Sequence, residues 1–252
     1  MVYAFVIILG LVFGSFLNVV IHRLPAKESI VRPGSHCPLC GTPIAWYDNI
    51  PVLSFVLLGG KCRKCKARIS VRYPVIELLT AAIMALILAR YGLSGQFVTY
   101  AVLSLFLIPI SVIDFDKGLI LNKLTLPGCI LGIVLVLVFQ VETWKSMAAG
   151  AAAGGVLCFA IGYLGSLAFK KDSMGMGDVK LLILTGVYVG FPGVLCSFFY
   201  GILAAAVYIL VRMVLRTLRM GETIPFGPFI AIGTLVHVLL GQSIIEWYIG
   251  LF

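Results

Sequence analysis

Charge is what this chain has least of. Only 12% of its 252 residues are Asp, Glu, Lys or Arg, about half the share usual in a soluble globular protein. With 61% hydrophobic residues and a mean hydropathy of +1.11, an ordinary water-soluble fold is excluded. The period-2 alternation of a transmembrane barrel is missing, which removes that architecture. No convincing internal repeat is visible, so the inverted-repeat plan of many transporters has no support. Outside one Gly-x-Gly-Asp, no glycine fingerprint of a dinucleotide-binding fold appears.

What is there is a series of long apolar runs. Crossing ~30 Å of hydrocarbon takes roughly 20 residues, and a backbone in lipid must satisfy its own hydrogen bonds, so these runs are helices. The spans read as 2–21, 74–92, 96–113, 124–141, 147–169, 179–192, 194–214 and 226–250. The expected fold is an all-α polytopic membrane protein of about eight transmembrane helices with one small loop domain. Residues 1–21 form the first helix, 22–73 the loop domain and 74–252 a multi-helix domain. The first run has no basic residue ahead of it and no small-residue cleavage pattern, as in a retained anchor.

Cations orient the chain. Nine of the 19 Lys and Arg lie in the 22–73 loop. Lys117, Lys123, Lys170, Lys171, Lys180, Arg212, Arg216 and Arg219 fall on the same side, and only Arg90 and Lys145 fall opposite. Positive residues mark the cytoplasmic face, which makes the loop cytoplasmic. The net charge of +9 then reflects topology and anionic membrane lipid, with no call for a nucleic-acid partner.

The loop carries Cys37, Cys40, Cys62 and Cys65 as two C-x2-C pairs 21 residues apart, close to a zinc-ribbon spacing. Four thiolates complete a tetrahedral zinc site and leave no open position, which points to a structural metal. Redox-active or free cysteines are the alternative; disulfides are disfavoured in the cytoplasm. Cys129, Cys158 and Cys196 are scattered through spans and read as small core residues. Between the pairs, "WYDNIPVLSFVLLGG" (46–60) is too short to span, and either packs on the metal module or dips into the interface.

An ionisable group at membrane depth is expensive and therefore suggests function. Asp116, Asp172 and Glu222 read as interfacial acids touching water, and Glu77 opens the second span. Asp114 closes the third span and Asp178 opens the sixth, so separate helices bring both to one face. Such a pair could share a proton and activate water. In "GMGD", Gly175 and Gly177 weaken helix, predicting a loosened segment ahead of Asp178. Asp178 would sit at the partially positive end of its helix and Asp114 at the partially negative end of another, dividing their roles as base and acid.

The chain resembles the type IV prepilin peptidases, GxGD-type aspartic proteases of the bacterial inner membrane. The resemblance is carried by "GSFLNVVIHRLP" (14–25), the paired C-x2-C loop, "RYPVIELLTA" (72–81), "DFDKGLILNKLTLP" (114–127), "GMGDVKLL" (175–182) and "PFGPFIAIG" (225–233). Leu121-Asn122 departs from the family's usual Pro-Asp, a change expected to alter the local turn. The resemblance implies that Asp114 and Asp178 are catalytic. It implies removal of the basic leader from prepilins and pseudopilins, and methylation of the new N-terminus with S-adenosylmethionine as cosubstrate. No site for that cosubstrate is legible in the sequence. A transporter using the two aspartates for proton or cation coupling is the alternative from another class.

Overall fold

The computed structural model describes residues 1–169, 175–218 and 222–249. Asp172, Lys170, Lys171 and Arg219, which entered the charge and topology readings, lie outside the described residues. The helices are α1 (Val2–Arg23), α2 (Leu53–Leu57), α3 (Arg72–Tyr91), α4 (Gly95–Lys117), α5 (Asn122–Phe139), α6 (Trp144–Phe169), α7 (Met176–Val214) and α8 (Gly227–Ile249), with a 3-10 turn at Trp46–Asn49. Among the described residues there are no strands, and six helices are long and apolar enough to cross a membrane. The chain is an all-α, multi-pass membrane protein.

The expected count of eight spans is not what those six helices supply. The sixth and seventh expected spans are the two halves of α7, which meet at Gly190, where φ is +69° and ψ −172°. Only glycine adopts that conformation readily, and Pro192 follows within the same turn. Helix α8 runs Gly227–Ile249 and is apolar over the stretch Gly227–Gly241, where its side chains are described.

The chain divides into two compact units, Met1–Ala89 and Arg90–Phe252. In the first, α1 packs on α3 through small residues, as membrane helices do when no hydrophobic force draws them together. A Cβ on Gly10 would come within 2.5 Å of the Ala81 Cα, and one on Gly14 within 2.6 Å of the Glu77 Cα. Asn18 donates from Nδ2 to the Gly14 carbonyl at 3.2 Å and the Tyr73 carbonyl at 3.1 Å, tying the two helices together. At the end of α1, the buried Arg23 donates to the carbonyls of Ser29, Pro33 and Gly34 at 2.7–3.1 Å. One guanidinium thereby folds the start of the loop back onto the helix.

The segment 46–60 forms the 3-10 turn and α2. Ser54 is buried and donates to the Tyr47 carbonyl at 2.9 Å, while Leu53, Val56 and Leu57 remain exposed. Half of this run therefore packs on its own module and half stays bare.

In the second unit, α7 is the central element, with α5, α6 and α8 packed against it. Glycines again set the spacing: Gly150 and Gly154 on α6 face Gly186 and Leu182 on α7. Gly132 on α5 leaves room for the ring of Tyr188, whose hydroxyl donates to the Gly128 carbonyl at 3.0 Å. The kink at Gly190 is held by the Phe191 amide donating to Ser146 Oγ at 3.3 Å.

Gly10→Val should lower the melting temperature in detergent, at a cost of about 1–3 kcal/mol from overpacking. Gly34→Ala, where an added Cβ meets nothing within 4 Å, should change it little. Equal melting temperatures for both variants would contradict the α1–α3 contact.

Candidate active site and metal centre

Helix α4 is capped by Ser94, whose hydroxyl accepts the Phe97 amide at 3.2 Å. It stops at Gly118, left-handed at φ +63°, whose amide closes on the Asp114 carbonyl at 2.8 Å. That cap places Asp114 in the last turn, and its side chain is buried. Helix α7 starts one residue after an extended Gly175 (φ −78°, ψ 147°), so the buried Asp178 is its third residue. The two carboxylates are close enough to act on one another electrostatically. Asp178 also lies within electrostatic reach of Cys158, a fully buried thiol on α6.

Residues 170–174, ahead of "GMGD", lie outside the described residues. Of its two glycines, Gly175 is extended and stands outside the helix, as expected of a loosened segment, and only Gly177 departs from the expectation. Neither has positive φ, and Gly177 lies inside the helix. Gly177 permits a close approach: a Cβ there would be 2.9 Å from the Ile120 Cβ. The link between α4 and α5 thereby rests on the first turn of α7. Lys180 Nζ donates to Asn122 Oδ1 at 2.8 Å across the same junction. Leu121 caps α5 in an extended conformation (φ −83°, ψ 129°), so the Leu121-Asn122 pair starts a helix and supplies the acceptor for Lys180.

Asp114 has a partner that sequence reasoning missed. Its Oδ2 accepts the amide of Gly227, the first residue of α8, at 2.9 Å. The carboxylate satisfies one of the amides a helix start leaves unpaired, and a Cβ on residue 227 would fall 2.6 Å from Oδ2. The signal was a glycine and a proline opening an apolar run in "PFGPF". The finding also corrects the division of roles drawn from helix ends. Asp114 does close α4, but it faces the N-terminus of α8, so both aspartates lie against helix N-termini.

Among the described residues, Glu222 and Asp116 behave as ordinary polar groups and Glu77 does not. Glu222 receives Arg212 on both oxygens at 2.7 and 3.1 Å, and Asp116 is exposed. Glu77 is the exception: it is buried within the first unit and accepts the Val52 amide at 2.7 Å.

In the loop, the two C-x2-C pairs fold into matching knuckles. Cys37 N donates to the Thr42 carbonyl and Cys62 N to the Ala67 carbonyl, at 2.9 and 2.8 Å. Each knuckle turns on a left-handed residue four positions after its first cysteine, Gly41 in one and Lys66 in the other. All four Sγ atoms lie within 4.8 Å of one another. Cys37 and Cys65 are 3.8 Å apart, about the edge of a tetrahedron with 2.3 Å metal–sulfur bonds. Hydrogen bonding to the Thr42 hydroxyl and amide pulls the Cys40 thiol down to about 6. The amides of Cys65 and Lys64 pull Cys62 down as well, while burial and hydrogen bonds from the other three thiols push Cys65 up to about 11. Two of the sulfurs thus favour the thiolate that a metal requires, and Cys65 does not until a metal displaces its proton. The cluster fits a metal ion held by four cysteines. Beside it, bidentate donation from Arg63 at 2.6 and 2.7 Å holds the Asp48 carboxyl below the usual carboxylate range.

Residues 8–91 match the Bacterial Peptidase A24 N-terminal domain, and residues 101–210 match the Type IV leader peptidase family. Among curated relatives, a prepilin leader peptidase/N-methyltransferase of Pseudomonas aeruginosa is 34% identical over 96% of this chain and 92% of its own length. One of Aeromonas salmonicida is 32% identical over 98% of this chain and 94% of its own length. A third, from Myxococcus xanthus, is 38% identical over 86% of this chain, and the chain spans 64% of its length. No solved structure matches the chain.

Purified chain should hold about one metal ion, since four thiolates complete one tetrahedral site. Cys37→Ser and Cys62→Ser should each lose it and lower the melting temperature. Elemental analysis finding no metal in protein kept from chelators would contradict the cluster's reading. Metal occupancy should also fall with acid as the thiolates are protonated.

Proposed function

We propose, from the premise that the chain belongs to the type IV leader peptidase family, that it removes the basic leader from prepilins and pseudopilins and then N-methylates the exposed terminus. The observation that carries the reading is the meeting of Asp114 and Asp178, one from the end of α4 and one from the start of α7, within electrostatic reach of each other. A transporter would need neither the leader-peptidase sequence match nor a carboxylate pair anchored to a helix start.

Two carboxylates in a low-dielectric site share one proton more readily than both ionise. The ionised member takes a proton from water, whose oxygen attacks the scissile carbonyl carbon. The protonated member hydrogen-bonds the carbonyl oxygen as charge develops on it. As the tetrahedral intermediate collapses, the carbon–nitrogen bond breaks and the leaving amine takes a proton, restoring the shared-proton pair. The Gly227 amide fixes one oxygen of Asp114, so positioning is inherited from α8.

The 74–252 region carries this hydrolysis, and the cysteine loop of 22–73 holds structural zinc, the metal best matched by four thiolates in a cytoplasmic tetrahedral site. The excess of cations on the loop side makes that face cytoplasmic in a bacterial inner membrane, beside anionic lipid. Methylation uses S-adenosylmethionine, which supplies the methyl group when bound, and the amine gives up a proton in exchange. That chemistry needs a neutral amine held in line and no carboxylate pair to activate water.

Asp114→Asn and Asp178→Asn should each abolish cleavage of a synthetic prepilin while the protein inserts and accumulates, and Asp116→Asn should be far milder. Gly227→Ala should lower kcat about ten-fold or more by displacing the Asp114 carboxylate. Near-normal cleavage by either Asp→Asn variant would refute the dyad. Both Asp→Asn proteins should still transfer radiolabelled methyl groups to pilin supplied already cleaved. Loss of methylation in step with cleavage, in folded protein, would mean that the two chemistries share a site.

A further inference from the structure

We infer that a cavity inside the first unit binds S-adenosylmethionine, with the Glu77 carboxylate as counter-charge to its sulfonium. The inference rests on the methyltransferase reading above and gives that activity a place. The cavity is about 730 Å³ and partly open, lined by the end of α1, the cysteine knuckles, α2 and the start of α3. Small-molecule sites commonly occupy about 300–1,000 Å³.

Glu77 is on its wall, 6% exposed, and its partners are the Val52 amide and the Ser15 side chain. A carboxylate buried without a cation is costly, and Glu77 lines the cavity. A ligand with a fixed positive charge relieves that cost. S-adenosylmethionine carries one on sulfur, and the demethylated product, S-adenosylhomocysteine, does not. The same carboxylate thus favours the methyl donor over the spent product.

The surrounding wall is built to hold Glu77 in place. Val52, which donates to it, is a β-branched residue at φ +59°, a conformation that persists only where neighbours enforce it. Asn18 commits both amide hydrogens to the Gly14 and Tyr73 carbonyls, which leaves Oδ1 to accept from a ligand ammonium or hydroxyl. Tyr47 and Phe55 add aromatic surface suited to a purine. Two sequence segments that the aspartate pair does not use, "GSFLN" and "YPVIE", converge here, because Gly14 lets α1 reach the Glu77 backbone.

Calorimetric titration of the full chain in detergent tests this with two ligands. Glu77→Gln keeps an acceptor for the Val52 amide, and its metal content and melting temperature report whether it is folded. It should bind S-adenosylmethionine about ten-fold or more weakly and S-adenosylhomocysteine within about three-fold of the parent. Unchanged binding of both, or equal weakening of both, overturns the counter-charge. An independent arm uses the unaltered chain: photo-crosslinking of methyl-labelled S-adenosylmethionine should map to peptides within 18–77. Label confined to 90–252 overturns the placement and leaves the methyltransferase reading standing. A chain that neither binds the cosubstrate nor methylates cleaved pilin overturns both.

Discussion

A carboxylate can be kept in a low-dielectric helix bundle only if its oxygens find donors, and among the described residues three are buried: Asp114, Asp178 and Glu77. For Asp114 and Glu77 the donor is a backbone amide. Gly227 serves Asp114 at the start of α8, and Val52 serves Glu77 just before α2. Asp178 stands in the first turn of α7, where a helix leaves its amides unpaired. The lipid environment that forbids free backbone groups elsewhere thus supplies the donors at helix starts. Chemistry concentrates where helices begin or end because those are the places where a charge is tolerable.

The same logic explains the use of glycine. With little hydrophobic force between membrane helices, close approach must come from small residues. Gly10 and Gly14 bring α1 onto α3, and Gly150 and Gly186 bring α6 onto α7. Around the aspartates the requirement is stricter, since Gly177 admits Ile120 and Gly227 admits the Asp114 carboxylate itself. A glycine-rich membrane protein is in this sense a rigid one. The exception is Gly190, whose φ of +69° breaks α7 into two halves.

Much was legible without coordinates because the deciding quantities are local. Apolar runs of about 20 residues become helices in lipid whatever they pack against, and the expected span 124–141 falls within two residues, at each end, of the helix Asn122–Phe139. Paired C-x2-C spacings predicted a four-sulfur cluster because each knuckle is a six-residue structure with its own hydrogen bonds. Asp178 at a helix start was equally readable from the glycines before it. The count of crossings was not, because a glycine kink and a helix boundary look alike in sequence, as at Gly190.

By itself the sequence determined the helical class, the multi-pass plan, the cysteine quartet and the identity of the two candidate aspartates. Composition and short spacings carry those, and neither depends on distant residues. Tertiary structure decided that Asp114 answers to Gly227, 113 positions away, and that Gly177 serves packing against Ile120 rather than loosening the chain. It also decided that Glu77 is buried on the wall of a cavity rather than lying at an interface. Each of these is a contact between elements far apart in the chain, set by which helix faces meet, and no local pattern encodes that choice.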